Sequence, residues 1–268
     1  MAEYSKTIGV SSKQIWVPTP TDIMKRAALM DLFKPCLSKP GAVLEIGCGV
    51  GALIYELIRN GFWGKGVDFS ENGLNIAKAF NQTNENKFIF GSSISEDDFG
   101  PYDYVIAIAV LEHIEDDVGC LRQWHNLLKA DGKLLLAVPG HMSLWGSNDV
   151  WAGHYRRYER LGLFETVTDA GFSVQKIHAY GYPVINLIKC ILESTIYNRI
   201  ERLRKNSKVT IEEASSNSGI DRDNWSKLFW IYSSNIFKPV WKILFLIQGL
   251  FYNTEKGTGY ILLAEKKQ

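Results

Sequence analysis

Cysteine is scarce: Cys36, Cys48, Cys120 and Cys190 stand far apart in 268 residues, with no C-x-x-C pair and no Cys/His spacing for zinc. That excludes a disulfide-framed mini-fold and reads as reduced, packing thiols in a cytosolic protein. Charge of one sign is also missing. Thirty Lys and Arg against 29 Asp and Glu leave +1, whereas dedicated nucleic-acid binders carry a strong basic bias. No uncharged apolar run reaches the ~18 residues that span a bilayer, because Lys227, Lys238 and Lys242 interrupt the longest candidates. The first residues lack the apolar run of a signal peptide, and no solenoid-length repeat is visible. These absences lead to the expectation of a soluble, cytoplasmic protein, membrane-peripheral at most. With 46% hydrophobic and 22% charged residues, the chain can bury a large core, so disorder and coiled coil are excluded.

From Gly41 to Gly140, short apolar runs alternate with helical patterns. Strands are expected at 42–46, 64–68, 87–91, 102–107 and 133–139, and helices at 51–60, 71–81 and 118–128. A helix over 20–36, with Thr21 as its N-cap, precedes them. Strands separated by helices specify right-handed βαβ units and a doubly wound parallel sheet. Beyond 140 the pattern changes. A loop over 140–158 is dense in Trp, Tyr, His and Arg; a helix over 159–170 and a strand over 172–179 follow. Residues 183–204 read as an amphipathic helix, 205–224 as a polar loop, 225–252 as aromatic-rich helix, and 259–264 as a last strand. This gives an N-terminal helical cap (1–40), an α/β core (41–182), a helical insertion (183–256) and a final core strand (257–268).

Chemistry concentrates in Val43-Leu44-Glu45-Ile46-Gly47-Cys48-Gly49-Val50-Gly51, a strand running into a turn with glycines at alternate positions before a helix. Such a turn lets a ligand lie on bare backbone beside free helical N–H groups. It forms a nucleotide-type site at the carboxyl end of a sheet. Gly47, Gly49 and Ala52 also fit the dinucleotide pattern G-x-G-x-x-[GA]. Glu45 argues against it, since its charge would face a pyrophosphate but would welcome a cationic, amino-acid-like ligand. Asp68, ending the second strand, can accept both ribose hydroxyl hydrogens, which suits NAD and adenosyl ligands equally.

The fourth strand leads into Ala109-Val110-Leu111-Glu112-His113-Ile114. With this segment the chain resembles the class I S-adenosylmethionine-dependent methyltransferases, in the branch with an L-E-H-I-x-D motif, over roughly residues 40–180. The resemblance implies a Rossmann-like seven-stranded sheet whose last strand is antiparallel and inserted between strands five and six. The 183–256 insertion then leaves the active-site rim as a lid. It also implies that Gly47, Cys48, Gly49 and Gly51 cradle the methionine end of S-adenosylmethionine, with Glu45 beside them. Asp68 would hold the ribose, and Phe69 would flank the adenine. Ser92 and Ser93 fall in the adenine-side loop, where many relatives carry Asp at the Ser92 position. Ala109 and Val110 would pass beside the sulfonium, and the product is S-adenosylhomocysteine.

Two histidines are candidate bases: His113 after the fourth strand, and His154 in Gly153-His154-Tyr155-Arg156-Arg157-Tyr158. The H-Y-R-R-Y run recurs in a subset of the family near the acceptor. Arg156 and Arg157 are candidates to clamp a carboxylate or phosphate, or instead to pair with Asp149 or Glu159. Trp145, Trp151, Tyr155 and Tyr158 are candidates to wall the acceptor pocket, or to pack its rim. Some relatives bind a divalent ion through an extra acid four residues before the histidine; Ala109 stands there, so no metal is expected. The aromatic stretch 225–252 is open to four readings: packing, an acceptor lid, peripheral membrane contact, or a dimer interface. The expected activity is methyl transfer to an O or N nucleophile of a small, hydrophobic or lipid-linked acceptor, by a monomer or homodimer. An NAD-dependent oxidoreductase and a non-catalytic binding module are the alternatives.

Overall fold

The computed structural model describes residues 8–9, 15–81, 87–94, 101–187 and 229–267. Seven strands form one sheet: β1 (Ala42–Ile46), β2 (Trp63–Val67), β3 (Phe88–Gly91), β4 (Tyr102–Ile108), β5 (Leu128–Pro139), β6 (Phe172–Tyr180) and β7 (Gly259–Lys266). Their order is β3-β2-β1-β4-β5-β7-β6. Neighbours from β3 to β5 are parallel, while β7 runs antiparallel to both β5 and β6. The expected topology is therefore present. A two-residue strand pair, Ile8–Gly9 with Ile15–Trp16, lies apart from the sheet.

Six helices, α1 (Pro20–Phe33), α2 (Ala52–Arg59), α3 (Glu71–Asn81), α4 (Asp117–Asn126), α5 (Ser147–Ala152) and α6 (Arg160–Asp169), accompany the strands up to β6. Among the described residues a further helix, α7 (Lys238–Gly249), precedes β7. The central strands are buried on both faces, so successive side chains feed opposite cores. Leu134 and Leu136 of β5 join α4 and α6 in one cluster; Leu135 joins α1 and α2 in the other.

Three details differ from the sequence reading. The cap of α1 is Thr19, not Thr21: its hydroxyl accepts from the Asp22 amide, and the Asp22 carboxylate accepts from the Thr19 amide. Pro20 takes the first helical position, where its missing N–H costs nothing. Strand β5 starts at Leu128, five residues earlier than expected, through pairing with Tyr102. The 140–158 segment contains α5 rather than plain loop. The expected helix over 183–204 and loop over 205–224 lie almost wholly outside the described residues. No described helix is long and apolar enough to cross a membrane.

Candidate active site

The carboxyl ends of β1, β2, β4 and β5 open into a cavity of about 870 Å³. Its floor is the glycine turn. Gly47 adopts φ +70°, and a Cβ there would come within 2.4 Å of Val110 Cγ2, so only glycine allows the β4 segment to pass this close. Gly49, at φ +51°, donates its N–H to Asp68 Oδ2 at 2.7 Å. Asp68 Oδ1 accepts from the Ser70 amide at 2.8 Å, so the carboxylate is held between the two turns and faces the cavity they share.

Glu45 occupies a both-faces-buried strand, only 3% exposed, and Oε2 has no hydrogen-bond partner. Burial pushes its carboxyl up to about 8, against a smaller pull from Arg26. A buried acid with an orphaned oxygen aimed at a cavity fits a ligand that brings a cationic donor. Phe69, 65% exposed, stands at the wall as a bare aromatic face. Cys48, Ser92, Ser93, Ala109 and Val110 also line the cavity. Gly51 lies outside the lining: it caps α2 at φ +72°, and a Cβ there would meet Ala77 of α3 at 3.0 Å.

The opposite side of the cavity joins two distant segments. After β4, Ala109 takes a positive φ of 57° and a short turn carries Leu111–His113 inward. The 154–158 run is tied to that turn. Tyr155 N donates to the Glu112 carbonyl at 2.8 Å, Arg156 pairs with Asp117 at 2.8 Å and also donates to the Glu115 carbonyl, and the buried Tyr158 hydroxyl donates to Asp117 Oδ2 at 2.9 Å. His113, Trp151, His154 and Arg157 line the cavity; Trp145, Tyr155, Arg156 and Tyr158 do not. Arg157 is engaged with Asp149, Nε to Oδ1 at 2.8 Å and Nη2 to Oδ2 at 3.0 Å. Glu159 instead meets His141.

The imidazoles of His113 and His154 stand edge to face, 4.6 Å between centroids. Burial and His154 hold His113 low, at about 4. Glu112, 1% exposed with an unpartnered Oε2, is raised by burial to about 7. Donor atoms of Glu112, His113 and His154 lie within 4.8 Å of one another, a grouping that could hold a metal ion. Sequence reasoning did not select Asp22, Lys25 and Arg26, which α1 brings to the cavity. Arg26 also clamps Glu56 of α2 through Nε at 2.9 Å and Nη2 at 2.6 Å. No motif marks them, because α1 reaches the site only through tertiary packing.

A family model described as a methyltransferase domain matches residues 22–177. The chain belongs to this methyltransferase-domain family, and its sheet is that of the class I enzymes. Among curated proteins it is 29% identical over 100 residues to a ubiquinone biosynthesis O-methyltransferase of Pseudomonas aeruginosa (strain LESB58). That match covers 36% of this chain and 43% of the relative, so it spans less than half of that protein. Among solved structures, the Burkholderia thailandensis 1,6-didemethyltoxoflavin-N1-methyltransferase, with S-adenosylhomocysteine bound, superposes with TM-score 0.52. It is 15% identical and covers 93% of this chain and 80% of that one. The [4+2]-cyclase SpnF superposes with TM-score 0.54 at 16% identity, covering 90% and 80%. A cyclase among such neighbours shows that the fold alone does not fix the reaction.

Proposed function

We propose that the chain transfers a methyl group from S-adenosylmethionine to an oxygen or nitrogen of a small, hydrophobic or lipid-linked acceptor. The observation that carries this reading is the orphaned, buried Glu45 carboxyl on the strand that leads into the glycine turn, in one cavity with Asp68. A dinucleotide would bring phosphate charge to that turn; an amino-acid ammonium would satisfy Glu45. In this reading Glu45 and the 47–51 turn hold the methionine end, Asp68 accepts from the ribose hydroxyls, and Phe69, Ser92 and Ser93 border the adenine. Ala109 and Val110 flank the sulfonium, and the group supplies an electrophilic methyl on a good leaving group. The chain's own residues align the nucleophile, exclude water and take a proton where the acceptor has one to lose. His113 and His154 are the candidates for that proton.

Trp151 and Arg157 border the acceptor side, and the reading takes the Glu112-His113-His154 group without an ion. An O-methyltransferase among the relatives supports the oxygen acceptor. Peripheral membrane contact through 225–252 belongs to the same reading, supported by the exposed apolar side chains of α7.

Calorimetric binding of S-adenosylmethionine and S-adenosylhomocysteine, with NADH as control, tests it. Both adenosyl ligands bind, with or without chelator, and Asp68→Ala weakens them roughly 10- to 100-fold, as expected for ~1.5–3 kcal/mol of hydrogen bonds to a charged group. Binding of NADH alone would overturn the reading, and loss of affinity with chelator would assign the Glu-His-His group to a metal.

A further inference from the structure

The acid that orders the acceptor side is Asp149. It is 1% exposed and every contact around it is a donor. Oδ1 accepts from His154 Nδ1 at 2.9 Å and Arg157 Nε at 2.8 Å; Oδ2 accepts from Gly146 N at 2.8 Å and Arg157 Nη2 at 3.0 Å. These donors outweigh the effect of burial and hold the carboxyl well below the usual range. A carboxylate paired with Arg157 and hydrogen-bonded to Nδ1 leaves His154 one neutral tautomer, with the proton on Nδ1 and a lone pair on Nε2. With Nδ1 engaged, Nε2 is the nitrogen left for the cavity that His154 lines.

We propose that Asp149 is a positioning residue: it fixes His154 as the Nδ1–H tautomer and so makes Nε2 the general base for the methyl acceptor. This rests on the methyl-transfer reading above. As the acceptor's oxygen or nitrogen forms its bond to the methyl carbon, the carbon–sulfur bond breaks and its electron pair stays on sulfur. The acceptor's O–H or N–H bond breaks, its pair stays on the acceptor, and the proton passes to Nε2. The imidazolium so formed lies against the Asp149 carboxylate, which stabilises it without taking the proton, the logic of carboxylate–histidine pairs in hydrolases. Arg157 has a different part. It balances the Asp149 charge, so the acid can remain ionised while buried, and its guanidinium is committed to Asp149 rather than free for a ligand.

The test needs no acceptor. The chain holds five histidines, so long-range ¹H–¹⁵N spectra of ¹⁵N-histidine-labelled protein, assigned with His154→Gln, resolve each ring. In wild type under chelator, His154 shows the Nδ1–H tautomer. In Asp149→Asn, the single remaining carbonyl oxygen is contested by Arg157 and Gly146, and the His154 signals move to a tautomer mixture. Unchanged His125 and His178 signals in the variant report an intact fold. An Nε2–H tautomer in the wild type, or an unchanged spectrum in Asp149→Asn with folding intact, would overturn the proposal. Adenosyl-ligand binding, measured separately, decides the methyl-transfer reading.

Discussion

Glu45 shows how one residue can report on its ligand. Its carboxyl, raised to about 8 from an ordinary 4.5, carries a proton at neutral pH, and a bound ammonium would favour the ionised form. Adenosyl-ligand binding near pH 7 therefore releases a proton from Glu45. Calorimetry in buffers of different ionisation enthalpy reads this as the difference between wild type and Glu45→Gln; equal proton counts would remove Glu45 from the ammonium site. The same shift has a sign for stability. A group whose folded-state value is raised contributes fully below the unfolded value, near 4.5, and loses that contribution as pH rises through 8. Between pH 5 and 8.5 the denaturant midpoint of the wild type should fall relative to that of Glu45→Gln. At this scale the glycine turn, Glu45 and Asp68 were legible in the sequence, because backbone chemistry dictates those residue types at that spacing. Asp149 was legible only as a pairing acid for an arginine. Its hold on His154 depends on α5, a helix that no periodicity over 140–158 announced.

Elements explain the next level. The sheet strands were readable because their apolar runs are short and bounded by glycine and polar turns. The cap of α1 was misplaced by two residues because Thr19 and Thr21 flank the same proline, and only the Asp22 pairing separates them. α7 is the element whose pattern points outward. Val240, Ile243, Leu246 and Leu250 are exposed, Leu246 at 73%, with Lys238 and Lys242 on the same helix. An apolar face beside lysines is the form of a helix lying in a bilayer interface. Leu246→Glu should leave the melting temperature within about 2 °C, since exposed substitutions change stability by roughly ±0.5 kcal/mol or less. It should sharply reduce sedimentation with anionic phosphatidylserine vesicles. Equal sedimentation of variant and wild type would remove α7 from membrane contact.

For the whole molecule, stability is divided between two cores that the sheet separates. Leu135 and Leu136 are neighbours in sequence yet belong to opposite clusters, both essentially inaccessible. Truncating either to alanine removes methylenes from a separate core, so each variant should lose roughly 2–5 kcal/mol in chemical denaturation. A loss confined to one of the two would show that only one layer carries the fold. The doubly wound parallel sheet followed from the alternation of strands and helices, and the antiparallel last strand from the family resemblance. Alternation alone does not say where in the sheet β7 inserts.

That insertion has a consequence for synthesis. β7 fills the gap between β5 and β6, pairing Gly259 with both Pro139 and Tyr180. At ~5–20 residues per second, on the order of ten seconds separate the emergence of Pro139 from that of its partner. Once β6 has emerged, and until β7 does, the nascent chain has a finished glycine turn but two open strand edges, β5 and β6, each able to pair with a neighbouring polysome product. The strand that closes the sheet is thus also the one whose delay leaves its neighbours' edges open.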